Sequence, residues 1–148
     1  MSDTAADYTK FRITHNHPEV GKGKLNALHP STIKIAGLVT FDLTADVTLG
    51  DYVEISMGVQ IFTHKHDWKS SRGPRRETQK VIAQPLEIGE DAFIGVNAII
   101  LGVASIGKGA IVGAGSVVTH DVPDFEIWAG NPAACIGVRI DIKNGVDR

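Results

Sequence analysis

Residues 88–118 read IGEDAFIGVNAIILGVASIGKGAIVGAGSVV and carry an aliphatic residue at every sixth position. The residue four places after each aliphatic is small or β-branched, and glycine often follows the aliphatic directly. An earlier stretch keeps the same period. The aliphatic positions are Leu43, Leu49, Ile55, Ile61, Ile88, Ile94, Ile100, Ile106, Val112 and Val118. A period of six indicates one short strand and one corner per repeat, because an amphipathic helix would repeat about every 3.6 residues.

Three such sides close into a triangular coil, and successive coils stack at the spacing of paired strands, about 4.8 Å. The sequence therefore predicts an all-β fold, a parallel β-helix with its aliphatic residues inside. We expect coils over residues 33–64 and 86–123, a cap over 1–32 where the phase is absent, and an inserted loop over 65–85. The C-terminal segment, 124–148, contains NPAACIGVRI, which is predicted to pack back on the prism as a strand.

Composition limits the function classes. A chain of 148 residues suits one domain, and a formal charge of -2 gives no general reason to bind nucleic acid. The polar opening and the lack of an apolar run of about 18 residues predict a cytoplasmic protein without a membrane span. The single cysteine, Cys135, cannot form an internal disulfide and is expected to have a packing role.

The repeat pattern ends in GAGSVVTHDVPDFEIWAGNPAACIG at residues 113–137. Over residues 33–140 the chain resembles the hexapeptide-repeat acyltransferase family, and within it the sugar O-acetyltransferase branch. The resemblance implies a left-handed coil, a hand that the period alone does not fix. It further implies acetyl-CoA as co-substrate, a saccharide hydroxyl as acceptor, and a homotrimer with active sites between subunits.

The repeat is interrupted after Ile61, since the next aliphatic would fall at position 67 and the phase resumes only at Ile88. The interruption is rich in lysine and arginine, and a long insert in a compact domain is often functional. We expect its cluster of arginines to bind either the phosphates of coenzyme A or an anionic acceptor. The residues assigned to substrate binding are Trp68, Arg72, Arg75 and Arg76.

The segment IFTHKHDW, residues 61–68, resembles the part of the sugar acetyltransferases that carries the catalytic histidine. His64 and His66 are both candidates for the general base, and counting from Ile61 together with the HDW tripeptide favours His66. A neutral imidazole can take the proton of a hydroxyl as it attacks the thioester, which typically accelerates a reaction about 10²–10⁴-fold. Asp67 is expected to orient a histidine or the acceptor, or to lie on the surface.

By the same resemblance, coenzyme A is expected along a groove between subunits, against small residues that permit close approach. Family positions that are usually basic are His120 and Ala134 here, so Arg139 is considered as a phosphate partner. Phe93 is expected to shield the reaction centre or to pack outside, and Trp128 to stack on a ligand or seal a subunit contact. The candidate contacts to coenzyme A are Phe93, Gly95, Gly113, Ala114, Gly115, Ser116, His120 and Arg139.

Two other function classes share this kind of fold. A metalloenzyme of the γ-carbonic anhydrase type needs three converging histidines, whereas this chain pairs His64 with His66 and has no further histidine before His120. No metal is therefore expected. A scaffold or ice-binding β-helix would show flat threonine arrays, which the sequence lacks. Transfer to an amine instead of a hydroxyl remains open.

Overall fold

The computed structural model describes residues 11–14, 23–67, 69 and 80–140. Regular structure in these ranges consists of short strands and one 3-10 turn, Pro30–Thr32. The strands are β1 (Phe11–Thr14), β2 (Leu25–Ala27), β3 (Lys34–Ile35), β4 (Val39–Asp42), β5 (Val47–Leu49), β6 (Glu54–Ile55), β7 (Gln60–Phe62), β8 (His64–His66), β9 (Val81–Ala83), β10 (Leu86–Ile88), β11 (Phe93–Ile94), β12 (Ile99–Leu101), β13 (Ser105–Ile106), β14 (Ile111–Val112), β15 (Val117–Val118), β16 (Glu126–Gly130) and β17 (Ala133–Val138).

The strands form three parallel faces of a prism. Face A contains β1, β4, β7, β12 and β15; face B contains β2, β5, β10 and β13; face C contains β3, β6, β11, β14 and β16. Strand β17 pairs antiparallel with β16 at the edge of face C. Consecutive strands step from one face to the next, so the chain winds as a parallel β-helix, and the architecture predicted from the six-residue period is confirmed.

The aliphatic residues of the repeat fill the interior of the prism. Every position of the six-residue series is buried, and the rows align from coil to coil, as where Ile94 lies between Ile55 and Val112 on face C. Burying an isoleucine or valine side chain contributes about 1.5–3 kcal/mol, so these rows hold the coils together. The core expected from the sequence is therefore confirmed.

Glycine at the corners allows neighbouring coils to approach closely. A Cβ on Gly95 would lie 2.6 Å from the amide nitrogen of Ala114 in the next coil, so any side chain there would force the coils apart. The left-handed backbone conformation occurs two residues later, at Asn97 with φ 57° and at Gly115 with φ 68°. The glycine directly after the aliphatic residue thus permits close stacking, and the turn itself is made by the residue two places on.

The coils begin earlier and end later than residues 33 and 123. Leu25 pairs with Val47 on face B, and Phe11 pairs with Val39 on face A, so part of the expected cap already belongs to the sheets. Strand β2 is out of phase with the repeat because a 3-10 turn lengthens the corner that follows it. At the other end, β16 extends face C and β17 folds back on it, as predicted for the NPAACIGVRI segment.

Trp128 packs at the C-terminal end of the core. It pairs with Val112 on face C and packs against the buried cluster, while its indole Nε1 donates to Oε2 of Glu126 at 2.7 Å. Of the roles considered for this residue, neither ligand stacking nor a subunit contact is needed to explain its position.

The insert leaves the prism as a hairpin. Strand β8 pairs antiparallel with β9, and the pairing starts with His64 opposite Ala83, so the insert begins one residue before the expected position 65. The hairpin stands at the corner between faces A and B. In the described part of the chain, no helix has the length and apolar character needed to cross a membrane.

Candidate active site

Four polar side chains meet at the corner between faces A and B: Asp42, Thr44, Thr63 and His64. Nδ1 of His64 lies 2.5 Å from Oδ2 of Asp42. The Asp42 side chain has no exposed surface, and that of His64 is 16% exposed. A carboxylate removed from water is costly unless it is paired and hydrogen-bonded, so the histidine is the structural partner of the buried carboxylate.

The register of face A brings this pair together. Strand β4 ends at Asp42 and β7 ends at Phe62, and the two strands pair so that these last residues lie side by side. The chain then turns away from the prism and begins β8 at His64. The ring thereby reaches the carboxylate of the preceding coil, while the Phe62 ring lies edge-on to the imidazole at a centroid distance of 6.4 Å.

Two threonine hydroxyls complete the group. Oγ1 of Thr63 donates to the carbonyl oxygen of Asp42 at 2.7 Å and accepts the N–H of Ala45 at 2.8 Å. Oγ1 of Thr44 donates to Oδ1 of Asp42 at 3.0 Å and lies 3.4 Å from Nδ1 of His64. Each threonine hydroxyl has one hydrogen to donate, and in Thr63 and Thr44 alike that hydrogen is already engaged. Neither threonine is therefore poised to act as a nucleophile.

These contacts determine how the His64 ring is oriented. An ionised carboxylate can only accept a hydrogen bond, and Thr44 has already donated its proton to that carboxylate, so Nδ1 must be the donor. In the neutral ring the lone pair then lies on Nε2, at the far side of the imidazole. A histidine held by a buried carboxylate in this way is oriented to take up a proton, and the carboxylate stabilises the charge that follows.

His66 lies beside this pair without a carboxylate of its own. The two rings are T-shaped, with centroids 5.2 Å apart, and the His66 residue is exposed. Among the residues that the structure describes, no side chain hydrogen-bonds to the His66 ring, whose backbone pairs with Val81 in the hairpin. Of the two histidines considered from the sequence, the structure gives the buried partner to His64. Asp42 and Thr44 were not found by sequence reasoning.

The other predicted residues of the insert are only partly within the described chain. Asp67 is half-buried, and its backbone N–H donates to the carbonyl of Lys80 at 3.0 Å, at the end of the paired strands that is farther from the prism. The predicted substrate-binding residues Trp68, Arg72, Arg75 and Arg76 lie outside the described residues.

The small residues expected to contact coenzyme A lie at a different corner, between faces C and A. Gly95 and Gly113 face the next coil, and Ala114 and Gly115 are exposed. Beside Gly115 an added Cβ would meet no atom within 4 Å, so the surface is open there. Ser116 is fully buried and accepts the N–H of Gly130 at 3.2 Å, which directs its hydroxyl into the protein.

The remaining candidates are dispersed. Phe93 is exposed on face C between Glu54 and Ile111 of the neighbouring strands. His120 follows β15 and is exposed, with Nδ1 at 3.0 Å from Oγ1 of Thr119. Arg139 is exposed but already engaged within the chain, since its Nη1 donates to Oδ2 of Asp91 at 2.7 Å and to the carbonyl of Gly109 at 3.0 Å.

Metal ligands do not converge in the part of the chain that the structure describes. Over residues 23–67, 69 and 80–140, no group of three His, Cys, Asp or Glu side chains could hold a metal ion. The free Cys135 is exposed on β17, where its Sγ lies 3.4 Å from the carbonyl oxygen of Gly137.

Comparison with known proteins identifies the repeat. Residues 85–120 match the family described as the hexapeptide repeat of succinyl-transferase. A 2,3,4,5-tetrahydropyridine-2,6-dicarboxylate N-acetyltransferase of Staphylococcus aureus (strain JH9) is 52% identical over 62 residues, which are 42% of this chain and 26% of that protein. The chain spans less than half the length of the curated relatives that it matches first.

Two solved structures share the fold over most of the chain. A hexapeptide-repeat-containing acetyltransferase of Vibrio cholerae complexed with acetyl coenzyme A is 27% identical, with a TM-score of 0.61 over 89% of this chain and 72% of that one. A galactoside acetyltransferase in complex with coenzyme A is 26% identical, with a TM-score of 0.62 over 90% of this chain and 68% of that one.

Proposed function

We propose that this chain, which carries the hexapeptide repeat and shares the fold of two solved acetyltransferases, transfers an acetyl group from acetyl-CoA to a hydroxyl of a saccharide. The observation that carries the proposal is the buried pair of Asp42 and His64 at the point where the insert leaves the coil. Two structural relatives that contain acetyl-CoA or coenzyme A support the choice of donor. The galactoside acetyltransferase supports a sugar acceptor.

His64 is the general base of this proposal. Asp42 accepts the Nδ1 proton, which leaves Nε2 free to receive a proton from the acceptor. As the ring becomes positively charged, the buried carboxylate stabilises that charge. His66, favoured by counting along the repeat, has no such partner among the described residues, and its place beside the His64 ring suits contact with the acceptor.

The reaction proceeds without a covalent enzyme intermediate. The acceptor oxygen attacks the thioester carbonyl carbon while its proton passes to Nε2 of His64. The carbon–sulfur bond then breaks, and the proton moves from His64 to the departing thiolate of coenzyme A. The products are an acetyl ester and free coenzyme A, and the enzyme regains its starting protonation state. Both substrates must be bound together, since the Thr63 and Thr44 hydroxyls are already engaged as donors.

The active site of the proposed enzyme lies between subunits of a homotrimer. His64 stands at the corner between faces A and B, whereas Ala114 and Gly115 open to the surface at the corner between faces C and A. A coenzyme A molecule lying in a groove between two chains would meet the histidine of one and the small-residue corner of the other. Small side chains allow its pantetheine arm to approach the backbone closely.

An amine acceptor is the second candidate. The relative from Staphylococcus aureus is an N-acetyltransferase, and it matches this chain at the higher identity of 52%. The same base could take a proton from an ammonium or amine nitrogen as the amide forms. The two candidates differ in product, because an acetyl ester is cleaved by mild alkali and an amide is not.

The proposal is tested by following free thiol released from acetyl-CoA in the presence of mono- and disaccharides, including galactosides and maltose, and of amino sugars. We expect acceptor-dependent thiol release with at least one saccharide and a product that mild alkali deacetylates. An alkali-stable product would favour the amine acceptor. Thiol release that never depends on an acceptor would count against acetyl transfer altogether.

A further inference from the structure

We propose that the buried hydroxyls of Thr63 and Thr44 are positioning residues that fix the Asp42–His64 pair, an inference that rests on the proposed function. The geometry that points to this role is a four-residue turn, Asp42 to Ala45, which is bridged by a side chain of the following coil. The turn carries the carboxylate at its first residue and the Thr44 hydroxyl at its third.

Thr63 takes the place of the hydrogen bond that would normally close such a turn. In a closed turn the carbonyl of the first residue accepts the N–H of the fourth. Here the Thr63 hydroxyl lies between them, donating to the Asp42 carbonyl at 2.7 Å and accepting the Ala45 N–H at 2.8 Å. Thr63 has no exposed surface, so water does not compete for these bonds. One hydroxyl thus sets the width of the turn.

The backbone of Thr63 is held as well. Its carbonyl accepts the N–H of Gln84 at 2.8 Å, at the point where the insert returns to the coil. His64 is the next residue in the chain, so the hydroxyl that holds Asp42 and the backbone that carries the imidazole belong to adjacent positions. Thr63 therefore links the two halves of the pair, which come from different coils.

Thr44 sets the rotation of the carboxylate. Its donation to Oδ1 leaves Oδ2 facing Nδ1 of His64. Because its proton is used on the carboxylate, its oxygen can only accept from the ring at 3.4 Å, which again favours a proton on Nδ1. Without this hydroxyl the carboxylate can rotate, and the ring can take the other tautomer, with its lone pair on Nδ1 and no free base on Nε2.

Two valine variants test the inference, since Thr63→Val and Thr44→Val keep the side-chain shape and remove the hydroxyl. We expect each to lower kcat about 10–100-fold at unchanged KM for acetyl-CoA, because small displacements of a catalytic group are costly. Nitrogen NMR of the His64 ring should show the Nδ1–H tautomer in the wild type and a tautomer mixture in the variants, with exchange of that proton about tenfold faster. Thr63→Ser should restore both readouts.

Thr32→Val is the matched control. Thr32 also donates to a backbone carbonyl, that of His29 at 2.8 Å, and accepts an N–H from the next coil, that of Tyr52 at 3.2 Å, but at the corner between faces B and C. It should leave the His64 ring spectrum and kcat unchanged.

Wild-type tautomer and exchange in Thr63→Val would overturn the role of Thr63. If Thr63→Val does not fold, the same measurements on Thr44→Val test the inference, because the Thr44 hydroxyl does not bridge the turn. The ring spectrum does not depend on turnover. An unchanged ring spectrum in the valine variants would therefore refute the positioning role. Acetyl transfer that survives in His64→Ala would instead refute the proposed function.

Discussion

Replacing Asp42 by asparagine removes the charge that orients and stabilises the proposed base while nearly keeping the shape of the side chain. The carboxylate is fully buried and its Oδ2 lies 2.5 Å from Nδ1 of His64. For charge centres about 4 Å apart, an effective dielectric constant of about 20 gives an attraction of about 4 kcal/mol for the protonated ring. That energy corresponds to about 10³ in rate, and some screening at the partly exposed imidazole lowers the expected loss to about 10²–10³ in kcat.

The loss should appear in kcat and hardly in KM for acetyl-CoA, since the charge matters most when the ring is protonated. The assay is thiol release at saturating acetyl-CoA and acceptor. Asp51→Asn is the control, because Asp51 also pairs with a histidine, His29 at 2.9 Å, but at an exposed position at the corner between faces B and C. A kcat for Asp42→Asn within about twofold of that of Asp51→Asn would refute the reasoning.

Two further predictions concern the stacking of the coils and the assembly. Gly95→Ala should lower the free energy of unfolding in urea by about 1–3 kcal/mol, because its Cβ would lie 2.6 Å from the Ala114 nitrogen. Gly137→Ala should change it little, because the added Cβ would meet Ile127 Cδ1 at an ordinary contact distance of 3.8 Å. Equal effects of the two substitutions would contradict the close packing at Gly95. For the assembly, His64→Ala and Ala114→Trp chains, each inactive alone, should regain activity when unfolded and refolded together, since mixed trimers contain sites with both intact residues. A refolded mixture as inactive as its components would argue against sites between subunits.

The core could be predicted from the sequence because it depends on one regular pattern. A position that repeats every six residues must return to the same place in each coil, so the interior rows followed directly from Ile88, Ile94 and their equivalents. The ends could not be predicted in this way, since β1 and β2 pair with the coils through register and not through the six-residue phase.

The candidate site could be predicted only in part, because the corner between faces A and B departs from the six-residue period. A strict period would pair Leu43 with Ile61, whereas the structure pairs Phe41 with Ile61. The extra residues at the corner between faces A and B shift the coil that contains β4, and this shift brings Asp42 beside Phe62 and within reach of His64. Counting within the coil that contains the histidines cannot locate a partner in the preceding coil, so position along the repeat and the HDW tripeptide favoured His66.

The most direct test of the account compares thiol release from acetyl-CoA in the wild type, His64→Ala and His66→Ala, with an active acceptor and equal amounts of folded protein. The account predicts that His64→Ala loses about 10²–10⁴-fold in kcat, as expected for removal of a general base, and that His66→Ala keeps kcat within about tenfold of the wild type. Full turnover in His64→Ala together with its loss in His66→Ala would contradict the assignment of the base.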